Sequence, residues 1–386
     1  MGNLYIEVGS MQSAKKNGSL CGDLVSAVRT PYATTLIVAD GLGSGCRAHL
    51  SATMYVARMS RLLQLGFSFR QAFSRIIETL HAVRGGDSPY TALTAVNILN
   101  DGVATVLSYE MPPPVWIGYR LASPVVLRSI ISNNAVFAEG YAQLEPGEGI
   151  LVVSDGITQS GIGLGRGDGW GIDGVVKFLN DHLSQGVGWR QLPGLVHLQA
   201  RRNWGEHSGD DCTVSMALAR HEVAVKIVTG PPLDRHQDIS VIQNLLEFEG
   251  ERVICGATTA KIAARCVGKN LRVQQGKIPA WAPPRYYLEG FDVVTEGAIT
   301  LNQVYNMWEE ELEGQTPESI EENSSLLLLH LLKQADRVLF TVGMAANPAN
   351  EHLSFQQVGL MKRKEIVYLL SEKLRASGKI VTIEFV

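Results

Sequence analysis

The 386-residue chain has no apolar run approaching the roughly 18 residues that a membrane-spanning helix needs. Its richest stretch, 326–332, is interrupted by His330 and reads as the core of a helix. Residues 1–19 are polar and lack the apolar centre of a signal sequence, so export is not expected and a cytoplasmic location is. Cysteine is scarce. The five, Cys21, Cys46, Cys212, Cys255 and Cys266, are odd in number and form no CxxC pair. That excludes a disulfide scaffold, argues against a zinc site and suits a reducing compartment. A surplus of either charge is also missing: the net charge is -4, which argues against broad binding to nucleic acid or to anionic membranes. There is no internal repeat and no low-complexity tract. What remains is an ordinary globular composition, 45% apolar and 19% charged, on a chain long enough for two or three domains.

Two patterns divide the chain. Residues up to about 219 mix strands and helices. Strands are expected at 4–8, 35–39, 91–99, 103–109, 115–119, 124–131, 135–138 and 149–153, and helices at 48–65, 68–83, 172–183 and 192–202. Asn100-Asp101-Gly102 between two β-branched runs predicts a hairpin. This is mostly antiparallel β with two pairs of helices, which packs plausibly as two strand layers between helix layers. Thr229-Gly230-Pro231-Pro232-Leu233 then punctuates the chain. Beyond it strands at 253–255, 291–294 and 337–342 lead into helices or loops, and an amphipathic helix at 363–376 precedes a closing strand at 380–385. The expected organisation is a first domain over 1–220, a strand and linker over 221–235 and an α/β regulatory or ligand-binding domain over 236–386.

Three short acidic motifs stand out. Asp40-Gly41-Leu42-Gly43-Ser44-Gly45 and Ser154-Asp155-Gly156-Ile157 each follow an apolar β-type run, and Gly209-Asp210-Asp211-Cys212-Thr213 precedes one. Each alone is bland: a glycine-rich turn, an Asp-Gly turn, a solvated acidic loop. Carboxylates at strand ends can converge, however, and clustered carboxylates call for a hard divalent cation with oxygen ligands. A magnesium or manganese site follows, and with it phosphoryl chemistry.

The order of these motifs resembles the metal-dependent serine/threonine protein phosphatases (PPM, or type 2C), in the SpoIIE-like bacterial branch. Cys21-Gly22-Asp23 matches the early Gly-Asp motif, and Val38-Ala39-Asp40-Gly41-Leu42-Gly43-Ser44-Gly45 the Asp-Gly-Met-Gly-like loop. Segments 90–95, 109–114, 153–157 and 210–214 also agree, so that the resemblance covers residues 4–219. One departure is Glu110-Met111, where many relatives carry Gly-His before the prolines. The resemblance implies an αββα sandwich with a binuclear Mn or Mg centre, and the family also knows a third, weak site. Carried over, Asp40 bridges two ions, the Gly41 carbonyl ligates one, and Asp155 and Asp210 complete the other. Asp23 acts through a bound water, and Asp211 is the alternative to Asp210. Asp40, Asp155 and Asp210 would then be the catalytic residues of a phosphoric monoester hydrolase acting by metal-activated water attack. The implied substrate is a phosphoserine or phosphothreonine regulatory protein, such as a STAS-type anti-anti-sigma factor. Nucleic acid and membrane are not expected as partners, whereas a homodimer is compatible with the reading. The alternative is a catalytically inactive scaffold or signalling adaptor that kept the fold.

Other candidates weigh less. Cys266 and Arg272 have the C-x5-R spacing of cysteine-dependent phosphatases, but a helix rather than a strand leads in. Gly161, Gly163 and Gly165 lie in a loop that reads better as a flap than as a dinucleotide fingerprint, with Arg166 an exposed loop arginine. His49 and His207 lie near the acidic loops, and neither is taken as a ligand. In the second domain Gly256-Ala257-Thr258-Thr259 joins a strand to a helix, either as an ordinary Thr-capped crossover or as an anion cradle. Loops after 294 and 342 would line the same sheet edge.

Overall fold

A computed structural model describes the chain apart from residues 1–2, 16–17, 44, 84–89, 133–134, 166, 206–208, 275–282, 311–322 and 346–360. The chain divides into two compact units, Met1–His221 and Glu222–Val386.

The first unit contains β1 (Leu4–Ser13), β2 (Asp23–Arg29), β3 (Ala33–Gly41), α1 (Cys46–Gln64), α2 (Phe69–Val83), β4 (Thr91–Leu99) and β5 (Val103–Tyr109). It continues through β6 (Val115–Ile117), β7 (Ala122–Pro124), β8 (Leu127–Ser132), β9 (Ala135–Gln143), β10 (Gly149–Val153), α3 (Asp155–Thr158), α4 (Gly171–Ser184), α5 (Leu192–Trp204) and β11 (Cys212–His221). Two antiparallel sheets form, with strand orders β1-β11-β10-β6-β7 and β2-β3-β4-β5-β9-β8.

Alternation along the strands builds the layers. Leu36 and Val38 of β3 join Ile150 and Val152 of β10 in a core between the sheets. The intervening Ile37 and Ala39 point the other way, onto Ala52, Tyr55, Val56 and Met59 of α1 and Phe73, Ile76 and Leu80 of α2. Those α1 positions recur at helical spacing, so one stripe of the helix is buried. Leu151 and Val153 likewise meet Val175 and Leu179 of α4 and Leu192 and Val196 of α5. Strands covered on both faces must be apolar on both faces, which is why 35–39 and 150–153 read as continuous runs. The unit is the αββα sandwich expected from the sequence.

Several edges differ from the sequence reading. β2 was not expected: Asp23–Arg29 carries Ser26 and only a short alternation, and its strand character comes from pairing with β3. The run 124–131 is broken into β7 and β8, which lie in different sheets.

The second unit comprises β12 (Ala224–Thr229), α6 (Asp238–Leu246), β13 (Glu251–Cys255), α7 (Ala257–Val267), β14 (Arg272–Val273), β15 (Arg285–Tyr287), β16 (Val293–Thr295) and α8 (Ala298–Asn306). It ends with α9 (Ser324–Gln334), β17 (Arg337–Val342), α10 (Arg363–Ala376) and β18 (Ile380–Phe385). One sheet runs β14-β15-β16-β13-β12-β17-β18. Its last five strands are parallel, and β14 and β15 form an antiparallel edge. The chain leaves β12 for β13 and β16 on one side and returns to β17 and β18 on the other. The direction of winding therefore reverses at β12, as in doubly wound folds.

Candidate metal centre

Both sheets of the first unit deliver their acidic motifs to one end. β3 finishes with Asp40 and Gly41, and β2 begins with Asp23 directly opposite Asp40 in register. From the facing sheet, β10 hands over through Ser154 to Asp155, the first residue of α3, and Asp210 and Asp211 immediately precede β11. Thr213 N donates to Ser154 Oγ (2.9 Å) and Ser154 N to Thr213 O (3.0 Å), which locks the two loops together.

Like charges directly opposite on paired strands are unfavourable, and here Asp23 is buried and Asp40 half-buried. Asp23 is 2% exposed, and neither of its carboxylate oxygens has a hydrogen-bond partner among the described residues. Burial pushes its carboxyl above the usual range, and Asp211 and Asp155 push it the same way; the nearby Thr213 and Ser154 hydroxyls only partly offset this. Asp40 is raised strongly by burial, then by the negative charges of Asp23, Asp155 and Asp210. Asp155 is raised by burial and then by Asp210.

Glycines hold the loops at this distance. A Cβ at Gly41 would lie 2.1 Å from the Ala48 carbonyl oxygen of α1, and one at Gly156 would lie 2.0 Å from the Asp211 carbonyl oxygen. A Cβ at Gly22 would lie 2.7 Å from Asp211 Oδ2.

The adjacent pair Asp210-Asp211 separates into two roles. Asp211 is 5% exposed and accepts from Lys15 N (2.6 Å) and Gly22 N (2.7 Å), so its carboxylate is spent on the backbone. Asp210 is one-third exposed, faces the Asp40–Asp155 pair electrostatically and holds the Lys15 ammonium at 3.5 Å. Among the described residues no three acidic, His or Cys side chains close on one point as tightly as a metal cage. The positive partner that the structure supplies is the Lys15 ammonium beside Asp210. The donor set nonetheless fits a hard cation: all-oxygen, mutually repelling, with the buried Asp23 oxygens unpartnered among the described residues.

Sequence reasoning missed Lys15 and Gln159. Gln159 Nε2 donates to Asp155 Oδ2 (2.9 Å) from four residues on, a helical spacing that could have revealed it. Lys15 left no such signal. His49 binds the Cys21 carbonyl through Nδ1 (2.9 Å) and stands apart from the carboxylates' hydrogen bonds. Arg166 and His207 lie outside the described residues. Burial pushes the Cys21 and Cys212 thiols up to about 12, so neither offers a thiolate at neutral pH. Cys266 sits near the end of α7 and is raised by burial too, in keeping with a chance C-x5-R match. At the departure from the family pattern, Glu110 is the one non-glycine residue with positive φ (55°) among the described residues. Its carboxylate accepts from Tyr90 Oη (2.5 Å), which in turn helps to push the Tyr90 phenol upward, after burial.

Residues 30–219 match the family model of stage II sporulation protein E (SpoIIE). No curated protein matches the chain. Among solved structures, the PP2C phosphatase domain of SpoIIE from Bacillus subtilis, with a fragment of its regulatory domain, is 20% identical. That alignment covers 57% of this chain and 64% of the other, less than two thirds of it, with a TM-score of 0.49. The same phosphatase domain in a crystal form without domain swapping is 19% identical over 57% of this chain and 95% of the other, with a TM-score of 0.43. The RsbU and RsbW domains of a Mycobacterium tuberculosis protein are 17% identical over 64% and 68%, with a TM-score of 0.49. No helix among the described residues is long and apolar enough to cross a membrane. With a family match over 30–219 and the acidic loops in the family's order, the first unit of this chain is a SpoIIE-like domain of the PPM phosphatase family.

Proposed function

We propose that the first unit is a Mn- or Mg-dependent protein serine/threonine phosphatase. The observation that carries this reading is Asp23 opposite Asp40 on neighbouring strands: a buried carboxyl with both oxygens unpartnered among the described residues, facing a half-buried one on which the charges of Asp155 and Asp210 also bear. Such an arrangement is unfavourable by itself and becomes favourable when cations occupy it. Asp40, the Gly41 carbonyl, Asp155 and Asp210 would hold two ions, with Asp23 behind them. Bound there, the ions would supply an acidified water and neutralise charge on the phosphoryl oxygens.

The chain's own residues do the rest. Gln159 fixes the Asp155 carboxylate. Asp211 anchors the loops carrying Lys15 and Gly22 and orients Asp210, whose Oδ1 accepts from Asp211 N (3.0 Å). Lys15 holds Asp210 through its ammonium, a contact that a cation bound there would replace. No thiol nucleophile is needed, consistent with the raised Cys21 and Cys212.

The physiological substrate is proposed to be a phosphoserine or phosphothreonine regulatory protein of the anti-anti-sigma kind, encountered in the cytoplasm. The second unit, Glu222–Val386, is proposed to sense a ligand or dock a partner. Hydrolysis of p-nitrophenyl phosphate and of a phosphoserine peptide tests the activity. Turnover should require Mn or Mg, cease with EDTA and fall by at least about a hundredfold in Asp155→Asn. Turnover that survives EDTA overturns the metal reading. A wild-type protein inert with every divalent cation supports the inactive-scaffold alternative.

A further inference from the structure

The second unit carries a polar cavity at the carboxyl edge of its parallel sheet, beside the strand where the winding reverses. It encloses about 110 Å³, several times the roughly 10–15 Å³ that admits one water. α7 and α8 both begin at its wall. Their preceding glycines, Gly256 and Gly297, abut: a Cβ on Gly297 would lie 3.4 Å from the Gly256 Cα. Neither helix has a side-chain cap, so the amides of both first turns are left for another acceptor. The Thr cap expected as the ordinary reading of 256–259 is therefore not what forms. Gly256, at φ 140°, takes the cap position instead.

Two side chains add to the helix ends. Thr259 lines the cavity, is 2% exposed, and its hydroxyl has no hydrogen-bond partner among the described residues. A buried hydroxyl left unpaired is costly, and a ligand acceptor would relieve it. Arg363, the first residue of α10, also lines the cavity. Its Nη1 donates to the Gly343 carbonyl (2.7 Å), and its guanidinium packs so closely on Gly230 that a Cβ there would lie 2.0 Å from Nη1. It has no carboxylate partner among the described residues. Burial holds its pKa below the ordinary arginine value. A half-buried cation without a counter-ion among the described residues, next to two uncapped helix N-termini, has the chemistry of an anion site. Glu296, the acidic residue among those lining the cavity, accepts from Tyr286 Oη (2.8 Å), which occupies one of its oxygens.

We propose that this cavity binds the phosphoryl group of a small phosphorylated molecule. The α7 and α8 amides, the Thr259 hydroxyl and the Arg363 guanidinium hold the phosphoryl oxygens, and Glu296 at the wall accepts from a ligand hydroxyl. The proposal rests on reading the second unit as a ligand-binding module.

Calorimetric titration of the full chain in EDTA tests it, because the acidic cleft then holds no divalent cation. The probes are inorganic phosphate and ADP. At least one should bind, one per chain. Arg363→Gln and Thr259→Val should each weaken binding about tenfold, the value of a hydrogen bond to a charged group. Thr259→Val removes an unpaired buried hydroxyl, so its melting temperature should hold or rise, which separates lost binding from lost folding. Asp155→Asn should bind as wild type. p-Nitrophenyl phosphate hydrolysis, measured in parallel with manganese, reports on the first unit separately. The proposal is overturned if neither probe binds at roughly ten-millimolar concentration. It is equally overturned if both variants bind as wild type, or if binding is lost in Asp155→Asn and kept in Thr259→Val.

Discussion

Asp210 and Asp211 are neighbours of the same chemistry, yet their surroundings give them different work. Asp211 accepts two backbone N–H bonds from Lys15 and Gly22 in a buried setting. Asp211→Ala should therefore destabilise the first unit by about 2–4 kcal/mol, from two hydrogen bonds to a charged acceptor. Asp210→Ala removes a partly exposed ion pair at 3.5 Å and the bond from Asp211 N, and should cost about 1 kcal/mol, less than Asp211→Ala, while abolishing cation-dependent hydrolysis. Thermal melts beside phosphatase assays on the two variants separate the roles; a stable, inactive Asp211→Ala would reverse the assignment. Asp40 supports a second prediction. Its folded pKa lies above the ordinary 3.8, so between the two values the native state holds a proton that the unfolded chain has released. Stability must then fall as pH rises through that interval. In EDTA the melting temperature should drop from pH 6 to pH 8, and manganese should remove the dependence, because the cation replaces the proton. A metal-free melting temperature that rises across this range would contradict the buried-carboxyl picture.

Elements matter because the site is made at their ends. β3 can place Asp40 beside α1 only if Gly41 lets the strand approach Ala48. Gly41→Ala should cost about 1–3 kcal/mol by overpacking and displace the Asp40 loop. Gly9→Ala, at a strand position with nothing within 4 Å, should be close to neutral. Equal melting temperatures for the two variants would show that the close approach is not a constraint. The strands at 91–99, 103–109 and 149–153 and the helices at 172–183 and 192–202 were legible because their periodicity is strong and their ends are punctuated. β2 was not legible. Its short alternation is weak, and only its ladder with β3 makes it a strand. The loss matters for function, since β2 is what sets Asp23 opposite Asp40.

At the scale of the molecule, the two units have separate cores. The buried clusters around α1–α2, between the sheets and around α4–α5 all lie within Met1–His221. Those around α8–α10 and α6–α7 lie within Glu222–Val386. Residues 1–221 expressed alone should thus melt cooperatively and retain manganese-dependent hydrolysis of p-nitrophenyl phosphate. A non-cooperative melt, by circular dichroism, would show that the first unit depends on the second.

The sequence by itself determined the strand and helix periods, the glycines that tighten the acidic loops, and the order of motifs that marks the SpoIIE-like domain. These are local properties, readable from neighbours a few positions apart. Tertiary structure decided which carboxylates meet: Asp23 across from Asp40, Asp211 tied to Lys15 and Gly22, and Asp210 left facing the cleft. It also brought Arg363 to Thr259, side chains that no spacing in the chain relates. Periodicity reports which face of an element is apolar but carries no record of the neighbour against which that face will pack. Register and strand order supply that record, and both are settled only when the sheets close.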